Sequence, residues 1–475
     1  MKILFKVFPQ KSHLNATFPL ARTLRERGHD VVYAGVEPLR RHVEAQDHRY
    51  HGQAEDLFPY VEPKRGDPKL TFRTMLQNWY RNRAWADGLR AKYARCTAFD
   101  ALVKDVQPDL VLVDSPYTFF ALGLFRLGVP FAVLESMVNL GWARGFPPGD
   151  TTCVPCAGWI GRLCAAAHWR RYFAKRWFMG ALGFRVDFAR GFVLQTARAG
   201  GVSRNELSFE RYFHLGLMTV PELILSPREF DFPRPAAKNQ VYVGPSVEMN
   251  REESAGDYRF AGRFSQLVEA RTRGTPLVYC CLGTAAWRYD GVERFLARIV
   301  EAARGAQWHL LLAVGTELEL RLPPARPKNV DVFQVVPQLQ VLRHADVMVT
   351  HGGMNSITEC LLAGVPMVVF PGTTQIDQAG NAARVAYHRL GLMGNLQRAS
   401  AVRIRRSVDQ ILRDPEYRRR VGEMGRRIRE SEAYVRGAEI LFEALRRHFP
   451  NLHPPDSARS STLPDPSSHP AERKL

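Results

Sequence analysis

No run of residues in this chain is long and apolar enough to span a bilayer; each hydrophobic stretch is broken by Arg or Pro. The amino terminus also lacks the charged start, long apolar run and small-residue cleavage site of a secretion signal. Lys2-Ile3-Leu4-Phe5-Lys6-Val7-Phe8 goes at once into what reads as a buried strand. A cytoplasmic location is therefore expected. Cysteine is scarce, seven in 475 residues, which argues against a disulfide framework and fits reduced thiols. Cys280, Cys281 and Cys360 lie in apolar runs and read as small core residues. Cys153, Cys156, Cys164 and His168 could in principle form a three-Cys, one-His zinc set. No second ligand pair repeats the pattern, and a metal-free loop and helix is the favoured reading. Acidic residues are short as well: 47 Asp and Glu face 66 Lys and Arg, a net charge of +19. That excess admits nucleic acid, an anionic membrane surface or an anionic substrate. No zinc-finger or RNP-type motif accompanies it, so nucleic acid is the weakest of the three.

What is present is an alternation of strands and helices over a length that favours two domains. Apolar strands are expected at Lys2–Phe8, Asp30–Ala34, Asp109–Val113 and Val129–Leu134. Helices are expected at Leu14–Arg27, from about Lys69 to Val106, and at Thr118–Leu127. A second alternation places strands at Pro276–Leu282, Trp308–Val314, Val330–Val335, Asp346–Thr350 and Met367–Phe370. A basic helical region runs from Arg418 to Arg447. Between the halves, Leu223 to Pro245 carries four prolines and reads as a linker. The domain boundaries expected are 1–235, 236–447 and a disordered Pro/Ser-rich tail at 448–475. Asn139 to Phe192 breaks the pattern with Trp, Phe, Arg and Gly. Its segment Trp169–Phe178 reads as a basic amphipathic helix. An inward-packing lid helix is slightly favoured over an apolar acceptor wall or a membrane-surface contact.

The richest stretch is His351-Gly352-Gly353-Met354-Asn355-Ser356-Ile357-Thr358-Glu359, where a strand turns into a helix. Glycines let a ligand approach the backbone, and the helix start offers free N–H groups and a positive dipole end. Such a site suits a diphosphate. His351, Asn355 and Ser356 add donors, and Glu359, one turn on, could accept from ribose hydroxyls. Val335-Val336-Pro337-Gln338 precedes this stretch; Gly364-Val365-Pro366 and Asp377-Gln378 come after it.

In that order and spacing, the block resembles the nucleotide-sugar site of the UDP-glycosyltransferase family, which includes macrolide and plant natural-product enzymes. The resemblance implies an α/β GT-B fold, two Rossmann-like domains facing across a cleft. Gly283 and Thr284 are similar to the family's donor-contacting turn after a strand. It implies that Gln338 and the backbone around Val336 meet the nucleobase, and that Asp377 and Gln378 grip sugar hydroxyls, often of glucose. Val335 stands where the family has a stacking aromatic, which implies either weaker base stacking or stacking by another residue, Phe333 being the candidate. UDP-glucose is the expected donor, with UDP and TDP both open, and no cofactor is implied.

Transfer to an alcohol needs a base, and His13 sits where the first strand has ended and a helix begins, at the sheet edge that faces the cleft. The helix start is expected to keep it neutral. Asp114 closes a strand at the same edge and could orient and stabilise the ring. The family's base is the His of this loop; here Ser12 and Ala16 replace its usual Gly and Pro, and Asn15 is kept. No Asp-x-Asp pair occurs in the chain, so a metal-independent, single-displacement, inverting hexosyl transfer is expected. A nucleotide-sugar epimerase and a non-catalytic nucleotide-sugar binder at a membrane surface are the competing readings. The acceptor is expected to be an apolar small molecule or lipid.

Overall fold

The computed structural model describes residues 1–54, 57, 87–88, 90–91, 93–181, 186–251, 253, 259–284, 286–315, 318, 326–372 and 377–450. The tail expected to be disordered lies outside these from residue 451, as does most of the helical region expected from Lys69.

Seven short strands form the first sheet: β1 (Lys2–Lys6), β2 (Asp30–Val36), β3 (Arg49–Gln53), β4 (Leu110–Asp114), β5 (Phe131–Glu135), β6 (Glu222–Ile224) and β7 (Gln240–Tyr242). Their order is β3-β2-β1-β4-β5-β6-β7, every pairing parallel. β4 and β5 are buried at every position, as expected of strands covered by helices on both faces. Six strands form the second sheet: β8 (Leu277–Cys281), β9 (His309–Ala313), β10 (Val330–Phe333), β11 (Val347–Thr350), β12 (Met367–Val369) and β13 (Gly391–Met393). Their order is β10-β9-β8-β11-β12-β13, again all parallel. Each sheet therefore reverses its winding once, between β1 and β4 and between β8 and β11. In open parallel sheets the crevice beyond the carboxyl ends of the strands at such a reversal is where ligands sit.

Five helices position the site and its surroundings: α1 (Lys11–Glu26), α2 (Gly158–Ala181), α3 (Met354–Ala363), α4 (Gln378–Tyr387) and α5 (Glu432–His448). The proline-rich segment expected as a linker is instead partly sheet: it holds β6 and β7, and β7 lies beyond residue 235. Nor does the last helix stay with the second sheet. Leu441, Phe442, Ala444 and Leu445 of α5 join Ile3, Phe5, Leu14 and Leu24 in one buried cluster, so the last described helix packs on the first lobe. Prolines mark turns here because Gln240 and its neighbours still pair through residues that are not proline. The helix expected over Thr118–Leu127 is a short 3₁₀ turn at Ser115–Tyr117 and a helix only from Leu122 to Leu127.

The two lobes are tied together by a buried ion pair. Asp231 Oδ1 accepts from Arg384 Nε at 2.9 Å and from its terminal NH2 at 2.7 Å, joining the segment before β7 to the middle of α4. Both side chains are 2% exposed. Arg234 reaches the other Asp231 oxygen at 3.2 Å, and the Arg384 guanidinium lies 4.2 Å from the Phe232 ring centre.

Candidate active site

β1 ends at Lys6 and α1 starts at Lys11, so His13 stands in the first turn of α1 at the reversal point of the first sheet. β4 ends on Asp114 at the same point. His13 Nδ1 lies 2.6 Å from Asp114 Oδ2, and Ser136 Oγ, just past β5, lies 3.2 Å from the same nitrogen. The Asp114 carboxylate is held by two backbone amides, Phe8 N at 3.0 Å and Ser115 N at 3.0 Å. Its side chain is 1% exposed, while that of His13 keeps 16%. With Nδ1 committed to Asp114, Nε2 is the nitrogen left to take a proton.

The expectation that the helix start keeps His13 neutral needs correction. Burial lowers its pKa, but the Asp114 charge and hydrogen bond, helped by Asp377 from the second lobe, outweigh this and raise it above the ordinary histidine value. A carboxylate at contact distance prevails over the partial charge of a helix end.

In the second lobe β8 and β11 deliver Gly283 and His351 to the reversal point. The glycines serve a purpose the sequence did not indicate. A Cβ at Gly283 (φ +80°) would sit 2.6 Å from His351 Cε1, and one at Gly353 would sit 2.5 Å from His351 Nε2. They make room for the imidazole, which fills the notch between the two turns. His351 is buried, and burial pushes its pKa down to about 4. It is a neutral ring with hydrogen-bonding nitrogens. Tyr289 stacks over it at 6.1 Å between centroids. α3 begins directly after Gly353 with no side chain capping it, so its first amides are available to an anion.

Other expected residues are present but differently engaged. Asn355 Nδ2 donates to Ser12 O at 2.9 Å, bridging the lobes beside His13. Ser356 Oγ accepts from Gln338 Nε2 at 3.4 Å, and Gln338 Oε1 accepts from Tyr279 OH at 3.1 Å. Glu359 is buried, bonded to Gln338 Nε2 and paired with Arg251 at 2.8 Å. Burial raises its pKa, and Arg251 and Gln338 oppose that. Asp377 immediately precedes α4 but does not cap it; its Oδ2 accepts from Asn381 Nδ2 at 2.8 Å. Gln378 Nε2 donates to Tyr289 OH at 2.9 Å, and its Oε1 accepts from Gly372 N at 3.0 Å. Thr284 is exposed at the turn after β8, and Val336 is buried. Phe333 cannot replace the stacking aromatic: it is 3% exposed and packs edge-on against Phe260 in the core. Val335, 48% exposed, is what the site presents there.

Two reversal points, one with a His–Asp pair and one with an uncapped helix start, face each other. Comparison with known proteins decides what family this geometry belongs to. Residues 215–429 match the model of the family described as UDP-glucoronosyl and UDP-glucosyl transferase. Over these residues the chain matches the UDP-glycosyltransferase family. It is 26% identical over 434 residues to the NDP-glycosyltransferase YjiC of Bacillus subtilis, covering 90% of this chain and 94% of that one. It is 27% identical over 447 residues to the oleandomycin glycosyltransferase of Streptomyces antibioticus, covering 93% and 89%. The glycotransferase of kitacinnamycin superposes with a TM-score of 0.62 at 23% identity, over 94% of this chain and 99% of its own. This glycosyltransferase thus has the GT-B fold and is a nucleotide-sugar-dependent enzyme.

Several residues of this glycosyltransferase site carried no motif. Ser136 and Glu135 close β5 at the edge where Asp114 closes β4, so the same strand-end argument could have found them. Arg251 and Tyr289 lie outside any pattern. Below the dyad, Glu135, His214 and Glu222 converge, all buried, and are the one such group found among the described residues. Two carboxylates and an imidazole suit a cation by type. Here Arg211 supplies the counter-charge, 2.8 Å from Glu222, while burial and the Glu222 charge push the Glu135 carboxyl far up towards its neutral form. Cys153, Cys156, Cys164 and His168 do not form a comparable group; Cys153 is half-buried, Cys156 and Cys164 are exposed. A cavity of about 400 Å³, lined in part by Arg271, Pro276, Asp346 and Pro366, opens at the amino ends of β8, β11 and β12, the wrong end of the sheet for a substrate. No helix among the described residues is long and apolar enough to cross a membrane.

Proposed function

We propose that this enzyme moves a hexose, glucose in the first instance, from a UDP- or TDP-sugar to a hydroxyl of an apolar acceptor, inverting the anomeric centre. The observation that carries this is the His13–Asp114 pair at 2.6 Å, set beside the uncapped start of α3 by the bond from Asn355 to Ser12 O at 2.9 Å. The acceptor O–H proton passes to His13 Nε2 as the oxygen attacks the anomeric carbon. The bond to the diphosphate breaks on the opposite face, and the leaving group takes the electron pair. Asp114 stabilises the imidazolium that forms. The amides at the start of α3 and the neutral His351 ring receive the charge developing on the diphosphate. Asp377 and Gln378 hold sugar hydroxyls, and Gln338 and Glu359 exchange their present partners for nucleoside atoms. The match of the chain to an NDP-glycosyltransferase along most of its length supports the donor class. A panel of UDP- and TDP-hexoses against hydroxylated acceptors, read by mass spectrometry with NMR of the anomeric proton, tests the reading. Release of free nucleotide diphosphate without any glycosylated product would overturn it.

The raised pKa of His13 fixes the sign of the pH dependence. The base must be neutral, so kcat/KM should rise with pH through a group titrating above the usual imidazole value and level off beyond it. Asp114→Asn removes the charge that raises this pKa. Its acid limb should move to lower pH while the plateau falls. A limb that stays in place in a pH series of kcat/KM would dissociate His13 from the titration.

Gly283→Ala tests the donor notch. The left-handed backbone there costs a non-glycine residue about 1–3 kcal/mol, and the new methyl group displaces the His351 ring. Nucleoside diphosphate affinity should fall about tenfold or more, each tenfold being about 1.4 kcal/mol, as read by titration calorimetry.

A further inference from the structure

The strongest unexplained surface is one face of α2. Its buried stripe, Gly161, Ala165, Trp169, Tyr172, Arg176 and Gly180, is locked onto the first lobe. A Cβ at Gly161 would meet Cys156 O at 1.9 Å and one at Gly180 would meet Phe188 O at 2.5 Å, so both ends of the helix press on backbone. Trp169 Nε1 donates to Phe146 O at 2.8 Å, and Arg176 donates to Arg211 O at 2.8 Å. The inward packing expected for this segment therefore holds for Trp169 and Tyr172, and it fixes what the opposite face must show.

That face is apolar at both ends and cationic between. Trp159 is 70% exposed, Ile160 57%, Leu163 59%, Trp177 72% and Phe178 56%. Trp159 and Trp177, and likewise Ile160 and Phe178, stand five helical turns apart and so project in the same direction. Arg170 and Arg171 are exposed on the same face, with Arg162 and Lys175 exposed on its two flanks; α2 contains no Asp or Glu, and Asp150 lies near Arg171 and Lys175. A water-facing helix would carry charge where these tryptophans stand. Indole rings with arginines along a helix too polar to cross a bilayer are what the interface of an anionic membrane selects. The net charge of +19 supplies the long-range attraction.

We propose that α2 lies flat on an anionic lipid surface, with Trp159, Ile160, Leu163, Trp177 and Phe178 inserted among the acyl chains and Arg170, Arg171 and Lys175 at the headgroup phosphates. The docking goes beyond the sugar-transfer reading and does not depend on it. It would also set the acceptor side of the cleft towards the lipid, because α2 holds Phe146 and the same loop meets α4 through Gly149 O and Gly380 N at 2.8 Å.

Co-sedimentation of the full chain with phosphatidylcholine vesicles containing phosphatidylglycerol tests this. Binding is expected, with a blue shift of the Trp fluorescence, and it should weaken as salt rises. The Trp159→Ala/Trp177→Ala double variant, altered only at exposed positions, should keep its circular dichroism and its transfer to a water-soluble acceptor while its vesicle partition falls about tenfold or more. Arg170→Glu/Arg171→Glu should lose binding to anionic vesicles without unfolding. The proposal is overturned if the wild-type chain stays in the supernatant, if it binds neutral phosphatidylcholine equally well, or if the double variant partitions unchanged. It is equally overturned if the face proves to be a contact between copies, seen as a dimer in sedimentation velocity that the double variant abolishes while vesicle binding is absent.

Discussion

Replacing His13 by Ala should lower kcat/KM by about 10²–10⁴, the range that a positioned general base contributes, while leaving the affinity for a nucleoside diphosphate within about twofold by the usual independence of sites that share no partners. The separation arises from the architecture. His13 belongs to the first sheet's reversal point and the proposed diphosphate site to the second's. The direct tie between their edges is the bond from Asn355 to Ser12 O, which uses the backbone and survives the substitution. Asp114→Ala should approach the His13→Ala loss without exceeding it when the two are combined, since the carboxylate acts only through the ring. Transfer kinetics and calorimetry on the same preparations decide the matter. An unchanged kcat in His13→Ala would remove the ring from the reaction, and a parallel collapse of nucleotide binding would make its role structural.

The particular residues explain what could be read beforehand. His13 and Asp114 were visible because strand ends in a parallel sheet have a known direction, and a polar residue closing an apolar run is conspicuous. The block from Val335 to Gln378 was visible because donor recognition needs several residue types at fixed spacing. Partners brought together by tertiary packing were not visible. Nothing local to Glu359 announces Arg251, 108 positions earlier, and nothing near Gly283 tells that its missing side chain accommodates His351. The proline-rich stretch is deceptive for a related reason. Prolines between Pro227 and Pro245 punctuate the chain, yet short parallel strands need only two or three paired residues between them, and β6 and β7 fit there. The final helix, of mixed charge on its outer side, gives no sign in its pattern of which lobe its apolar side will cover.

Breaking the Asp231–Arg384 pair should be the most damaging single change for stability. Asp231→Ala leaves the Arg384 guanidinium buried with its carboxylate removed, and the loss of one partner of such a pair typically costs about 3–5 kcal/mol. Arg234 loses a contact at the same time. Guanidinium denaturation should show a midpoint shift of that size. The effect should not stop at stability, because Arg384 lies in α4 and α4 begins at Gln378, directly after Asp377. Freeing the helix from the inter-lobe segment lets Asp377 move relative to His13, so KM for the sugar nucleotide should rise and the acid limb of the pH profile should shift down as the Asp377 charge recedes. Replacing both partners, Asp231→Leu with Arg384→Met, removes the stranded charge, and a buried pair exchanged for apolar residues is often neutral for stability. The double variant should therefore recover much of the midpoint while the pH profile stays displaced. Recovery of both together would mean that Asp231 and Arg384 hold the lobes only by filling space, and an unaltered midpoint in Asp231→Ala would mean that the pair contributes no net stability to the closed arrangement.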